Sequence, residues 1–455
     1  MRRSKHLIVN KFLNLVNGLH LYDRLKMNLF SQWPHYSLSS FKSKLINLLL
    51  GLPNHTLKSE ETIEQLVKFE KFSIFFRASR FGFAQNVSHQ SAKTDYYSLI
   101  MRAIGQINLI RLICLIAIYN EDYQLYLGDV AYKTKHRSMV NTLFTMCFLF
   151  GAVNSEWLVL YDKRGNYSFL AIYSDIIKHG FEPVHLQMTS NQAIKFHRTI
   201  HILVTQLHRS FIFCFIFLAA VYYSVLLFNP HFYLVKQLPF YCLAWSLVAI
   251  IVTFTLIGKY FAIFGYLILV QLYHLFRLKS VVELADLYRN TKCTDQLAST
   301  LAKHAFVCLN ELEKCAKLTR YIVLCVFTIV AFNCDIFIFY GFIMRFHSPL
   351  YANSLGSIGC IVFIVIVYLS FIAREFIIKN ERLYFHIRTM CRHNVFNTCN
   401  QFKILQLMER LSDPNNGIQL GSITTIGKDF FIRFMVEIGS SLMLFTCNFK
   451  RYFEQ

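Results

Sequence analysis

The sequence predicts an all-α, polytopic membrane protein with seven transmembrane helices, an N-terminus in the cytoplasm and a C-terminus outside. Three observations predict it. Hydrophobic residues make up 55% of the 455-residue chain and charged ones only 16%, well under the quarter usual for soluble domains. The apolar residues gather into runs long enough to cross a hydrocarbon core about 30 Å thick. The basic residues mostly avoid those runs and fall largely on one side of the membrane they imply.

Residues 1–97 hold no long apolar run and read as a basic, partly amphipathic cytoplasmic region; the segment 45–52 is too short to span. The basic start is broken by Asn10 and Lys11, so no cleavable leader is expected. Residues 98–276 contain four spans, at 98–119, 139–160, 210–228 and 238–257, the fourth continuing as an apolar cytoplasmic extension to 276. Residues 277–320 read as a charged cytoplasmic helical loop. Residues 321–373 hold spans five and six, at 321–344 and 354–373. Residues 374–429 form a second cytoplasmic helical segment, and 430–455 supply the last span, 430–447, with a short outer tail.

Charge sets the orientation. Residues 1–97 and the second, fourth and sixth loops carry 35 Lys/Arg, whereas the remaining loops and the tail carry 7. The N-terminal side is therefore cytoplasmic, the reverse of a G-protein-coupled receptor. The net charge of +21 is spread between apolar segments, so the expected partner is anionic membrane lipid and not nucleic acid. Thirteen cysteines lack paired spacing and read as small buried hydrophobes.

Two features of the layout bear on mechanism. The outer loops are short, so an extracellular ligand must enter the helix bundle itself. The fourth apolar run, taken as one helix, is about 60 Å long at ~1.5 Å per residue, roughly twice the hydrocarbon core. Its inner end must be covered by protein, for which 277–320 and 374–421 are the candidates.

The last span carries the clearest functional signal. At helical spacing Arg433, Glu437, Ser440, Ser441, Leu444 and Asn448 share one face. A mostly polar stripe on a membrane helix faces protein or water, not lipid. Glu437, Ser440, Ser441, Leu444 and Asn448 are therefore the candidate ion pathway. Arg111 in the first span and Asp335 in the fifth are intramembrane charges with either a structural partner or a part in ligand binding or gating. Tyr222, Tyr223, Tyr241 and Trp245 lie near outer span ends, where they form an interfacial aromatic belt, a ligand pocket, or both.

Other patterns carry no chemistry. Asn229-Pro230-His231-Phe232-Tyr233 spells NPxxY, but on the outer side of span three. His197 and His201 stand four residues apart, with Arg198 where a zinc protease carries Glu. His386, Cys391, His393 and Cys399 lack zinc-ligand spacing. There is no phosphate loop, no nucleophile elbow and no acid–base cluster. No enzyme activity, metal or cofactor is expected.

The whole plan resembles the insect gustatory receptor family: seven spans, short outer loops, a long fourth helix and a C-terminus just after the last span. That family's motif is Thr-Tyr, five hydrophobics, then Gln-Phe. It aligns with Ser441-Leu442, Met443-Leu444-Phe445-Thr446-Cys447 and Asn448-Phe449, where Leu442 departs from Tyr. The resemblance implies a ligand-gated cation channel that detects a small-molecule tastant at the plasma membrane of sensory neurons. It further implies a homo- or hetero-oligomer of four subunits around a pore lined by the last helix. Cytoplasmic helices would supply most intersubunit contact, and the ligand would bind in the outer half of each bundle. The competing readings are a secondary transporter with Arg111 and Asp335 as coupling charges and, third, a G-protein-coupled receptor.

Overall fold

A computed structural model of the chain describes residues 47, 51, 57–83, 96–134, 137–290, 294–345, 349–413, 416–427 and 429–453. The chain divides into Met1–Thr56 and Leu57–Gln455, and every element named below belongs to the second unit. The segment 45–52 lies almost wholly outside the described residues.

The helices in chain order are α1 (Ser59–Phe75), α2 (Tyr96–Ala117), α3 (Glu121–Tyr126), α4 (Arg137–Lys163), α5 (Ala171–His179), α6 (Pro183–Leu186), α7 (Ser190–Leu227), α8 (His231–Leu234), α9 (Leu238–Asn290), α10 (Asp295–Ile338), α11 (Pro349–His393), α12 (Thr398–Ser412) and α13 (Phe430–Phe453). A π turn, Phe339–Ile343, continues α10 at its C-terminal end. A two-residue antiparallel hairpin, Gln419–Leu420 with Thr424–Thr425, precedes α13. Among the described residues six helices are long and apolar enough to cross a membrane: α4, α7, α11, most of α2 and α9, and α10 with its π turn.

Side-chain caps mark several of the starts. Thr189 accepts from Gln192 N before α7, Thr294 from Leu297 N before α10, and Asn397 from Asn400 N before α12. Each satisfies a backbone donor that the first helical turn leaves open. Among the described residues no cysteine is in a disulfide.

The long helices do not stop where the apolar runs stop. Helix α7 begins 20 residues before the predicted third span, and α9 is a single helix of 53 residues. Residues 277–290 end α9 and residues 295–320 begin α10, so the described part of 277–320 is two helix halves packed on each other. Residues 374–393 likewise prolong α11, before α12 and the hairpin. The hairpin is tied to α10 by Gly421 N donating to Arg320 O at 2.9 Å.

The apolar inner end of α9 is covered by its own chain. Ile263, Leu267, Leu272 and Phe276 are all buried, under α1, α7, α10 and α11. Helix α1 comes from the region with no apolar run, yet it presents Leu66, Phe69 and the small residues Thr62 and Ser73 to one side. Its ring Phe69 packs edge-on against Tyr266 at 5.6 Å. Two glycines of α9 let α1 come this close. A Cβ on Gly258 would lie 2.3 Å from Phe76, and one on Gly265 would lie 2.4 Å from Phe69. Thr62 adds polar ties, its hydroxyl 2.8 Å from His197 Nε2 and 3.2 Å from His201 Nδ1 on α7. The two histidines thus join helices.

Lys259, the charge that interrupts the fourth apolar run, is buried and donates to Ser155 Oγ at 2.7 Å and Ser155 O at 3.3 Å on α4. A hydroxyl and a carbonyl on the facing helix are the form of compensation a buried ammonium requires.

Candidate ligand cavity and ion path

Helices α4, α7, α9, α10 and α11 leave a cavity of about 640 Å³ between them in the apolar part of the bundle. Its wall is mainly aromatic and aliphatic, with Phe144, Phe217, Phe337, Leu355 and Ile358 among the contributors. Polar groups interrupt that wall: the Tyr222, Tyr260 and Tyr351 rings, Arg209, Ser210, Thr253, and Asn333, whose Nδ2 donates to Ile329 O at 2.7 Å. Tyr260 OH is occupied by Gly151 O at 2.7 Å. An apolar wall with a few polar groups is the usual make-up of a small-molecule site.

One end of the cavity, at Phe144 and Tyr222, adjoins a buried polar network built on the loop between α2 and α4. Asp129, fully buried, accepts from Arg137 Nε, from Ala131 N at 3.0 Å and from Asn141 Nδ2 at 3.2 Å. Arg111 donates to Leu127 O and Gly128 O, both at 2.7 Å, and its guanidinium lies 5.0 Å from the Trp245 ring centre. Trp245 Nε1 donates to Tyr126 O at 3.2 Å, and Tyr241 packs edge-on to Tyr126 at 5.3 Å. Gly128 has φ +59°, and a Cβ there would meet Tyr241 O at 2.7 Å, so the loop passes too close to α9 for a side chain. Asn229 ties in the next loop, its Nδ2 donating to Tyr132 O at 3.0 Å while its Oδ1 accepts from His231 N at 3.0 Å. The NPxxY-like stretch is accordingly a loop clasp. At the rim Lys133 donates to Glu121 at 2.5 Å, and this bond holds its ammonium pKa above the ordinary lysine range.

The residues singled out in the sequence therefore fall into separate places. Tyr222 lines the cavity and also adjoins Arg111. Tyr223 packs edge-on against Tyr222 at 5.9 Å. Arg111, Tyr241 and Trp245 hold the loop between α2 and α4 rather than line the cavity. Asp335 is half-buried, outside the cavity wall, and its Oδ1 has no hydrogen-bond partner among the described residues. The sequence reading missed Asp129, Asn141, Thr253 and Asn333. For Asp129 a signal existed, a lone acid in Gly-Asp-Val-Ala-Tyr with apolar neighbours on one side.

Helix α13 meets the bundle along one face. Phe430 and Phe434 pack edge-on against Phe327 of α10 at 5.5 and 6.1 Å, Ile438 is buried, and Leu442 packs on the outer core. Arg433, Glu437 and Ser440 lie on another face and are exposed, as is Leu444 at 63%, while Ser441 is half-buried at its edge. Neither Arg433 nor Glu437 is in an ion pair among the described residues. The side chain of Asn448 lies outside the described residues. Among the described residues nothing covers Arg433, Glu437, Ser440 and Leu444, nor the apolar Ile432, Val436 and Met443, which are exposed as well. No group of side chains suited to hold a metal ion occurs among the described residues.

No family model and no curated protein matches the sequence. Among solved structures the chain is similar to the insect olfactory receptor OR5 from Machilis hrabei in complex with eugenol, at a TM-score of 0.59 and 11% identity over 84% of this chain and 98% of that one. It is similar to a second structure of OR5 at a TM-score of 0.60, with the same identity and coverage. This likeness is one of fold, across nearly the full length of the receptor: the chain has the helical architecture of an insect olfactory receptor, in agreement with the insect chemoreceptor plan that the sequence resembles.

Proposed function

We propose that the chain is a chemosensory receptor of the gustatory type, a ligand-gated cation channel opened by a small, largely apolar tastant. The observation that carries this reading is α13: one face packs on the bundle and another holds Arg433, Glu437, Ser440 and Leu444 uncovered. A helix so divided calls for water or further copies of the chain against its polar stripe. In this reading α13 is the seventh span, the C-terminus is outside, and four subunits, identical or mixed, surround a pore in the plasma membrane of a sensory neuron. The cytoplasmic halves of α9, α10 and α11, with α12, then form the base of the assembly.

The ligand site in this reading is the cavity of about 640 Å³, with Tyr222, Thr253 and Asn333 orienting the ligand. Phe213 and Ile361 line it while 65% and 47% exposed, so the cavity is open at its side and an apolar molecule enters from the membrane. The eugenol complex of the similarly folded OR5 supports a ligand of that size class. A secondary transporter with Arg111 and Asp335 as coupling charges is the second reading. Asp335, half-buried with an unpartnered Oδ1, is the observation in its favour.

Recording ligand-evoked current from cells expressing the chain, alone and with partner receptors, while G-protein signalling is blocked, tests the proposal. A persisting cation current is expected. Substrate uptake without a ligand-gated conductance, or a response abolished by the block, would replace it with a transporter or a G-protein-coupled receptor. An epitope after Gln455 is expected to stain intact cells.

A further inference from the structure

The cytoplasmic parts of α7, α9 and α11 enclose a second concavity, of about 530 Å³, separate from the ligand cavity. Lys195 of α7, Lys279 of α9, and Lys379 and Arg382 of α11 all line it. Four cations from three helices around one hollow repel one another unless an anion lies between them.

Two of the protein's own carboxylates, Glu283 in the wall and Glu375 beside Lys379, offset about half of that charge and leave the rest. Glu283, also in the wall, is engaged by its neighbours: it accepts from Thr189 Oγ1 at 2.6 Å, from Asn191 Nδ2 at 2.9 Å and from Gln192 Nε2. Glu375 reaches Lys379 only at 4.0 Å. Lys279 lies over the Phe276 ring at 4.9 Å; burial lowers its pKa, Glu375 raises it, and Lys379 and Lys195 lower it. Lys195, Lys279 and Arg382 form no ion pair among the described residues. The hollow is concave, framed on three sides by helices, and has an apolar floor in Phe276 and Val282.

We propose that this groove binds a small anion carrying clustered phosphates on a polar ring, of the inositol polyphosphate kind. Converging ammonium and guanidinium groups match several phosphates at once, and the volume suits a phosphorylated six-membered ring. Such chemistry has two sources, a free cytosolic molecule and the headgroup of a phosphoinositide lipid. Measured from the inner ends of the predicted spans at ~1.5 Å per residue, Lys195 of α7 lies about 22 Å away and Lys279 of α9 about 33 Å, but Lys379 of α11 only about 9 Å. Bound there, the anion would fasten α7, α9 and α11 together and stabilise the cytoplasmic bundle. The proposal stands independently of what opens the cavity above it.

The test uses the purified full-length protein in lipid nanodiscs at physiological salt. Inositol hexakisphosphate is titrated as the soluble probe. Nanodiscs with and without phosphatidylinositol 4,5-bisphosphate, compared by thermal stability, supply the lipid arm. Binding by the soluble probe, a stability gain from the lipid, or both is expected, and the arm that responds identifies the source. The double variant Lys279→Gln/Lys379→Gln, and separately Lys195→Gln/Arg382→Gln at exposed side chains that leave folding intact, are expected to weaken the response about tenfold or more. Lys317→Gln, an exposed charge on α10 outside the groove, is expected to change nothing. Failure of both probes, undiminished binding in both double variants, or an equal loss in Lys317→Gln would overturn the proposal.

Discussion

Arg111 shows how one side chain resolves the cost of a charge in a membrane helix. Its guanidinium turns to the outer loop and meets two carbonyls and an aromatic face, so the charge is used for anchoring. Replacing it with Leu strands the carbonyls of Leu127 and Gly128, and hydrogen bonds to charged groups are worth roughly 1.5–3 kcal/mol each. Arg111→Leu is therefore expected to lose about 3 kcal/mol or more of stability, read as low surface delivery and a lowered melting temperature. Wild-type delivery would show that the loop does not depend on it. Tyr222 and Asn333 are different, since both line the cavity. Tyr222→Phe and Asn333→Ala are expected to reach the surface and shift the ligand dose–response by about threefold to tenfold, the range for one neutral hydrogen bond. Asp335→Asn separates the readings: Asp335 lies outside the cavity wall, so ligand affinity should hold, and a loss of ion or proton coupling would favour a transporter.

At the scale of elements, the docking of α1 depends on residues that no periodicity search weights. Gly258 and Gly265 are seven residues apart on α9, and they admit Phe76 and Phe69 where any side chain would collide. Gly265→Val is expected to push α1 off α9 and cost about 1–3 kcal/mol by overpacking, seen as faster proteolysis near residue 83 and a lower melting temperature. A variant as resistant as the parent would place the stability of α1 elsewhere. Leu267→Glu acts on the same core from inside: Leu267 is 1% exposed within one chain, so the loss expected is of the folded subunit, ahead of any loss of assembly. The positions of six membrane-crossing helices were legible in the sequence because each leaves an apolar run. The full lengths of α7, α10 and α11, and the last stretch of α9 after residue 276, were not, because beyond the apolar runs these helices bury one face against each other while carrying charge on the other. The outer clasp was hidden for a related reason. Asp129, Asn141 and Asn229 come from different elements, and only the fold brings them together.

For the whole molecule the decisive surface is the one that a single chain leaves open. Helix α13 touches its own bundle through Phe430, Phe434, Ile438 and Leu442, and its stripe faces away. Were the chain to work alone in lipid, Arg433 and Glu437 would stand against hydrocarbon at a cost of several kcal/mol. Copies around an axis remove that cost by facing the stripes to a shared aqueous path. In the proposed channel Glu437 would form a carboxylate ring that attracts cations, and Leu444, about two turns further along α13, would form an apolar constriction able to close by dewetting. Arg433 sits about one turn inside Glu437, where a ring of guanidinium groups would oppose cation flow unless each pairs with a neighbouring Glu437 or turns toward inner-leaflet headgroups. Glu437→Gln is accordingly expected to reduce cation over chloride selectivity, moving the reversal potential toward that of chloride in asymmetric salt. Leu444→Ser is expected to leave a standing current without ligand, because a hydroxyl ring keeps the constriction wet. The two variants should differ from each other as well as from the parent, one in which ions pass and the other in when they pass. Surface-expressed channels with unchanged reversal potentials and no basal current in either variant would mean that the open face of α13 packs against something other than the ion path.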